Sequence, residues 1–351
     1  MSMRYFDTIE AGDVYEVTIS NGRGMEAKIL SLGASLRSLT LPDMSGRIRD
    51  VVLGYDRAED YLLSRAYFGA TVGRFCNRIA GASFELDGKT VTLEPNQGKH
   101  QLHGGPFGFS RQLWTPLPVS ESEVRFRLIS PDGDMGFPGT LNVEVSYRLS
   151  SDALIIDYTA ETDAPTVVSL TNHSYFNLRG HESGAVDAMT LRVPSEYYTP
   201  TDDALIPTGE ICPVAGTSLD LREEATLGEI LRRPGLEKTN GLDHNFVLGS
   251  GSAKACLRDP DSGLAMQVHT DRPAMQIYTA GGLGLVTGKE GVIYKNHQGI
   301  CLETQGFPDA MHHDTFPSPV LRPDERWQSR TVYRFTGLGR IRRRHAAMIW
   351  M

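Results

Sequence analysis

Apolar and polar residues alternate along much of the chain, and clusters of turn residues separate the alternating runs. Three consecutive runs lie at residues 124–128, 141–149 and 154–158, with short polar turns between them. A period of two is typical of β-strands that bury one face. The pattern therefore predicts three consecutive antiparallel strands in a meander.

A β-hairpin is predicted around Asp87 and Gly88. Residues 84–86 alternate in polarity before this pair, and residues 91–93 resume the alternation after it. An Asp-Gly pair between two such runs is a strong hairpin signal. Further short strands are predicted around Val247, Leu257, Met266, Val268, Met275 and Ile277.

Helical periodicity is scarce. The best candidate helix covers residues 221–232, with Ala225, Leu227, Ile230 and Leu231 on one face and Pro234-Gly235 as the stop. Many short strands in a chain of 351 residues predict an all-β protein, a large antiparallel β-sandwich formed as one domain over residues 1–339. The basic residues 340–351 are expected to form a poorly ordered C-terminal tail.

Composition narrows the classes of function. The net charge of −8 makes nucleic acid an unexpected partner. No stretch of 18 apolar residues occurs, so no membrane span is expected, and no signal peptide is evident. The four cysteines form no CxxC pair. We therefore expect a reduced, cytoplasmic protein.

Candidate chemistry is clearest at Glu303. Ile300 and Leu302 share one face of a predicted strand, so Cys301 and Glu303 point to the other face. A strand end positions an acid or base better than a loop does. His173 lies in a second polar segment among aromatic residues, and a carboxylate with a histidine can form an acid/base pair.

Other polar residues stand out in turn-rich or apolar surroundings. Two glycines follow His103 and would let a ligand approach the backbone closely. Each residue alone also fits an ordinary structural role, and spacing does not show that they converge. These candidates are Asn77, Arg78, His103, Asp243 and Gln276.

Common cofactor motifs are missing from the sequence. There is no GxGxxG, no complete P-loop, no GxSxG and no HExxH. Two histidine pairs, His100 with His103 and His312 with His313, have residue types suited to metals, but neither has an obvious third ligand. We expect neither a cofactor nor a metal.

Five segments, in order along the chain, resemble the aldose 1-epimerases, also called galactose mutarotases. The resemblance extends over roughly residues 10–337. The matching segments are residues 73–79, 102–105, 172–178, 243–246 and 303–310.

The resemblance implies a large antiparallel β-supersandwich with an open sugar cleft, forming one aldose 1-epimerase domain. It implies that Glu303 is the catalytic base and His173 the catalytic acid. His103, Arg78, Asp243 and Gln276 would hold the sugar hydroxyls or help polarise the ring oxygen, and Asn77 would bind sugar. Arg74 would be structural support. Tyr175 and Phe176 would either cover an apolar sugar face or pack in the core, and of the two Tyr175 is predicted to bind sugar.

The implied reaction interconverts the α and β anomers of free aldohexoses of the galactose or glucose type. A glycoside hydrolase is disfavoured because it usually needs two carboxylates. A non-catalytic sugar-binding protein and a hexose-6-phosphate 1-epimerase remain alternatives. The partner would be a monosaccharide, and both monomer and homodimer stay open.

Overall fold

A computed structural model describes residues 1–339. The C-terminal tail predicted at residues 340–351 lies outside the described residues. Strands dominate, and two short α-helices occur within the described part, α1 (Ala58–Leu63) and α2 (Leu227–Leu231). No helix in residues 1–339 combines the length and apolar character needed to cross a membrane.

The strands follow one another closely along the chain. In the first half they are β1 (Ser2–Ile9), β2 (Gly12–Ser20), β3 (Glu26–Leu30), β4 (Leu36–Pro42), β5 (Ile48–Asp50), β6 (Thr71–Val72), β7 (Arg78–Ile79), β8 (Ser83–Leu86), β9 (Lys89–Thr92), β10 (Gln101–Leu102), β11 (Thr115–Ser120), β12 (Glu123–Ser130), β13 (Leu141–Leu149), β14 (Ala153–Thr162) and β15 (Thr166–Val167). In the second half they are β16 (Thr171–Asn172), β17 (Tyr175–Phe176), β18 (Thr190–Arg192), β19 (Tyr197–Thr199), β20 (Cys212–Pro213), β21 (Ala225–Thr226), β22 (Asp243–Val247), β23 (Ala255–Arg258), β24 (Ala265–Thr270), β25 (Ala274–Tyr278), β26 (Val286–Thr287), β27 (Ile293–Tyr294), β28 (Ile300–Gln305), β29 (Val320–Leu321) and β30 (Trp327–Thr336).

The largest sheet has nine strands in the order β11-β12-β13-β14-β30-β24-β23-β18-β21. It contains the predicted meander, because β12, β13 and β14 pair as antiparallel neighbours. Burial alternates along β12, where Val124, Phe126 and Leu128 are buried and the residues between them are exposed. The period-two prediction is therefore confirmed, including the face that each residue takes.

A six-stranded sheet, in the order β17-β28-β25-β22-β19-β20, carries the polar candidates. A third sheet contains the five N-terminal strands in the order β1-β2-β3-β4-β5. Apolar residues from all three sheets belong to one buried cluster, including Val17 of β2, Val145 of β13 and Leu302 of β28. This shared core confirms the antiparallel sandwich that the sequence predicted.

The predicted hairpin is confirmed. β8 and β9 pair, and Leu86 lies opposite Lys89. The two connecting residues, Asp87 and Gly88, both have positive φ values of 51° and 73°. A two-residue turn of this kind matches the twist of the flanking strands, and Asp-Gly tolerates it well.

The predicted helix over residues 221–232 is wrong in its extent. Ala225 and Thr226 pair with β18, and α2 begins only at Leu227. Thr226 and Glu229 form a capping box, in which each side chain accepts a hydrogen bond from the other residue's backbone N–H. This cap starts the helix there, and strand pairing takes the residues before it.

Candidate active site

Glu303 lies within β28 and is 2% exposed. Ile300 and Leu302 contribute to the main core, as the alternation predicted, and Cys301 and Glu303 face the other way. Oε2 of Glu303 is buried, and no described residue forms a hydrogen bond with it. A buried carboxylate oxygen without a partner is costly, and such groups concentrate at functional sites.

Strand register brings His173 beside Glu303. β17 pairs with β28 so that Tyr175 lies opposite Cys301. In an antiparallel pair, the residue two before Tyr175 and the residue two after Cys301 then also approach each other. Nε2 of His173 lies 3.6 Å from Oε1 of Glu303, too far for a hydrogen bond between them. Both atoms line one cleft of about 140 Å³.

The next two strands of the same sheet supply further polar groups. Gln276 of β25 lies opposite Glu303, and its Nε2 donates to Oδ1 of Asp243 on β22 at 2.6 Å. Both side chains line the cleft. The sheet thus places a fixed amide and a second carboxylate beside Glu303 and His173.

Asn77, Arg78 and His103 also line the cleft. β7 pairs with β10 so that Arg78 lies opposite Leu102, directly before His103. Nε of Arg78 donates to Gln97 at 2.8 Å, its Nη1 donates to Oδ1 of Asn77 at 3.4 Å, and the side chain lines the cleft. Asn77 and His103 have positive φ values of 61° and 54°. Such backbone strain in non-glycine residues often accompanies binding sites.

The hydrogen bonds of His103 determine its chemistry. The backbone N–H of Asn77 donates to its Nδ1 at 3.1 Å. Nδ1 therefore acts as an acceptor, so the proton of the neutral ring is on Nε2. Burial and the nearby His173 and Arg78 keep the pKa of His103 well below its ordinary value. His103 is a neutral ring that offers a hydrogen-bond donor at Nε2.

The same observation bears on metal binding. His103, His173 and Glu303 offer ligand atoms within 4.8 Å of one another. A metal-binding histidine normally donates its second ring N–H to an acceptor. Nδ1 of His103 meets a donor instead, so Nε2 cannot present a lone pair without forming an imidazolate. The donor set does not fit a metal ion.

Tyr175 and Phe176 lie in different surroundings. Tyr175 is 2% exposed, and its ring stacks on His173 with centroids 5.2 Å apart. It therefore lies at the base of the cleft, behind the imidazole. Phe176 is fully buried in the main core, which fits the packing role that the sequence left open.

Three residues of the cleft escaped the sequence analysis: Arg65, Tyr67 and Tyr278. Tyr278 follows Gln276 by two residues in β25, so strict alternation would have placed it on the same face. Tyr67 and Arg65 lie outside the strands, where no pattern marks them.

Arg74 points away from these groups. Its guanidinium donates to Pro138 O at 2.8 Å, Gly139 O at 2.9 Å and Ser130 Oγ at 2.6 Å. These buried contacts tie three chain segments together, as expected of structural support.

Burial shifts the pKa values of Glu303 and His173 in opposite directions. Burial and the Asp243 carboxylate raise the pKa of Glu303 well above its ordinary value, and Arg78 opposes the shift. Burial lowers the pKa of His173 to about 4. Both shifts favour the neutral form of each residue in the sugar-free cleft.

A larger hollow of about 480 Å³ lies on the polar face of the nine-stranded sheet. Its lining charges pair with one another, for example Arg330 with Asp157 and Arg125 with Glu144. Volume alone therefore does not identify the site, whereas the uncompensated groups around Glu303 do.

Comparison with known proteins agrees with this geometry. A family model for aldose 1-epimerase matches residues 15–334. The chain belongs to the aldose 1-epimerase family. It is 43% identical over 316 residues to the galactose mutarotase of Homo sapiens, a match covering 89% of this chain and 91% of that protein. It is 39% identical over 327 residues to the aldose 1-epimerase of Escherichia coli (strain K12), covering 91% and 94%.

Solved structures of aldose 1-epimerase relatives share the fold. An aldose epimerase homologue from C. elegans superposes with a TM-score of 0.87 and 32% identity, covering 92% of this chain and 99% of that one. A galactose 1-epimerase from Lactobacillus acidophilus NCFM gives a TM-score of 0.84 at 27% identity, covering 96% and 98%. The family resemblance, the β-supersandwich and the enzyme class, an isomerase of sugar anomers, are thereby confirmed.

Proposed function

We propose that this aldose 1-epimerase family member interconverts the anomers of free aldohexoses of the galactose or glucose type, with Glu303 as base and His173 as acid. The observation that carries the proposal is the pair of proton-transfer atoms, Nε2 of His173 and Oε1 of Glu303. They lie 3.6 Å apart in one cleft and are not bonded to each other. Both are therefore available to a sugar.

Ring opening requires two proton transfers. Glu303 takes the proton of the C1 hydroxyl while His173 gives a proton to the ring oxygen, and the C1–O5 bond breaks to leave an aldehyde. Rotation about C1–C2 turns the other face of the carbonyl towards the ring oxygen. Closure then reverses both proton transfers, so no cofactor is consumed.

The pair holds a single proton throughout this cycle. Before opening the proton is on His173, and after opening it is on Glu303. Burial favours the second arrangement in the empty cleft, because both residues are then neutral. Binding of the sugar must make the first arrangement accessible.

The remaining cleft residues are suited to hydroxyl recognition. Nε2 of His103 donates, Arg78 donates, and Asp243 accepts while Gln276 holds it in place. We assign these four residues, with Asn77, to sugar binding. Tyr175 was predicted to bind sugar as well, and its stacking on the imidazole supports a role behind the acid instead.

The alternatives receive less support. A non-catalytic sugar binder needs no proton-transfer pair. A phosphosugar enzyme needs several cations, and in the described cleft Arg65 and Arg78 are accompanied by Asp243 and Glu303. The four cysteines, all within residues 1–339, form no disulfide, which supports our proposal of a cytoplasmic protein. Monomer and homodimer both remain compatible.

Polarimetry tests the function. Freshly dissolved α-galactose should reach its equilibrium rotation faster with the protein present, and Glu303→Gln should remove at least nine-tenths of this acceleration. Glucose and xylose should be compared in parallel. Unchanged rates with all three sugars would reject the function, and an active Glu303→Gln would reject the base.

A further inference from the structure

Two phenol rings stack near the imidazole of His173. The Tyr175 ring is 5.2 Å from it with an interplanar angle of 23°, and the Tyr67 ring is 5.8 Å away at 29°. Both are stacked contacts, so each tyrosine presents a ring face to the imidazole. The two tyrosines reach it from different segments, β17 and the loop after α1.

Other groups meet the imidazole at its nitrogens or by ring edges. Sγ of Cys301 lies 3.5 Å from Nδ1, and Oε1 of Glu303 lies 3.6 Å from Nε2. His103 and Tyr278 make edge contacts at 5.3 Å and 6.5 Å. The charged side chains that share the cleft are Arg65, Arg78 and Asp243.

The two stacked rings bear on the cost of placing a positive charge on His173, the proposed acid. His173 must carry a positive charge although its ring is buried, and burial disfavours that charge. When His173 is protonated, Glu303 is ionised, so burial disfavours the charges of both residues. An aromatic ring face carries partial negative charge and attracts a cation within about 6 Å of its centroid, most strongly where water is absent.

We propose that Tyr67 and Tyr175 are positioning residues whose rings stack against the His173 ring and stabilise its protonated form. This inference rests on the proposed function for its catalytic consequence. It assigns Tyr175 a role through His173, without requiring contact with the sugar.

The Tyr67 variants provide the first test. Tyr67→Phe keeps the ring face, and Tyr67→Leu removes it at similar bulk. We expect Tyr67→Phe to stay within about 3-fold of the original kcat and Tyr67→Leu to lose about 3- to 30-fold, with KM changed less than about 2-fold. A higher KM with unchanged kcat in Tyr67→Leu would overturn the proposal, because it would indicate a sugar contact.

The pH profile separates charge stabilisation from simple packing. Loss of a ring face makes the imidazolium less favourable, so the acid limb of kcat/KM in Tyr67→Leu should move to lower pH. A merely structural ring would, when removed, admit water and move this limb up towards the ordinary histidine value of about 6.5. An upward or absent shift therefore overturns the proposal.

A direct titration does not depend on catalysis. Histidine labelled with ¹⁵N, with His173 assigned by its loss in His173→Asn, reports the charge of the ring in the sugar-free protein. We expect a lower His173 pKa in Tyr67→Leu and Tyr175→Leu and little change in the two Phe variants. Equal pKa values in Leu and Phe variants overturn the inference. Inactivity of the unaltered protein would reject only the proposed function. If Tyr175→Leu does not fold, the His173 pKa in Tyr67→Leu alone tests the inference.

Discussion

Glu303 has one carboxylate oxygen that no described residue satisfies, in a cleft that admits little solvent. The fold places an ionisable group where its charged form is unstable. Proteins tolerate such conflicts where function needs them, at the expense of stability. The unsatisfied oxygen is therefore evidence for function that no analysis of residue patterns could supply.

Glu303→Gln should stabilise the protein while removing activity. Because the folded-state pKa of Glu303 is raised, its contribution to stability is fully present below the unfolded value of about 4.3 and is lost as the pH rises towards the folded value. The glutamine amide does not titrate, so the gain in stability of Glu303→Gln should grow with pH. We expect it to reach about 1–3 kcal/mol in the free energy of unfolding at pH 8.

Urea denaturation at pH 5 and pH 8 measures this gain. The exposed Glu10→Gln serves as a control and should stay within about 0.5 kcal/mol at both pH values. A Glu303→Gln protein that is less stable at pH 8 would contradict the account of Glu303.

The activity profile should reflect a pair that works only with one proton. Above the alkaline limb the pair has no acid, and below the acid limb it has no base. Since burial lowers the pKa of His173 to about 4, kcat/KM should stay high on acidification until the pH approaches that value. Initial rates from pH 3.5 to 9, corrected for spontaneous mutarotation and checked for folding by circular dichroism, test this. An acid limb near 6.5 would refute it.

At the scale of elements, local sequence patterns were sufficient to predict strands and turns. The hairpin at Asp87 and Gly88 was predictable because a two-residue turn depends on its own residues. The extent of the helix over residues 221–232 was not predictable. Its apolar spacing suits one long helix, but it also suits a short strand followed by a short helix. The pairing of Ala225 and Thr226 with β18 selects the second arrangement.

The site was predictable only as a set of separate residues. Glu303 and His173 stood out by residue type and by resemblance, but their approach depends on the register of β17 against β28, which no local pattern encodes. The aromatic faces on His173 were missed for the same reason, since Tyr67 meets it from a distant loop.

Asp309 links two elements of the site. Its backbone N–H donates to the carbonyl of Arg78 at 3.0 Å, and its Oδ1 accepts from the backbone N–H of Ala80 at 2.8 Å. Asp309→Ala should loosen β7, destabilise the fold by about 1–3 kcal/mol and raise KM because Arg78 shifts.

Thermal unfolding and initial-rate kinetics check the Asp309 prediction. Asp309→Asn keeps an acceptor oxygen and should recover most of both losses. The exposed Asp314→Ala should change neither quantity. A normal KM in Asp309→Ala would argue against the link.

For the whole molecule, we propose a single domain over residues 1–339. The largest apolar cluster includes residues from Val17 to Phe335, which span nearly all of the described chain, and the three smaller clusters also combine residues that are distant in the sequence. A chain ending at residue 339 should therefore unfold in one transition, with a Tm within about 2 °C of the full chain. A chain ending at residue 326 lacks β30 and should not fold.

Scanning calorimetry of the two shortened chains distinguishes the outcomes. Two separate transitions in the chain ending at 339 would argue for two domains. A stable fold in the chain ending at 326 would argue that the nine-stranded sheet does not need its central strand.

The position of β30 also has a consequence for synthesis of the protein. This strand lies between β14 and β24, which were made much earlier, and bonds to both. Until residue 336 leaves the ribosome, two long strand edges remain open on the nascent chain. Such edges can pair with other chains, so the protein should depend on chaperones most strongly just before β30 emerges from the ribosome.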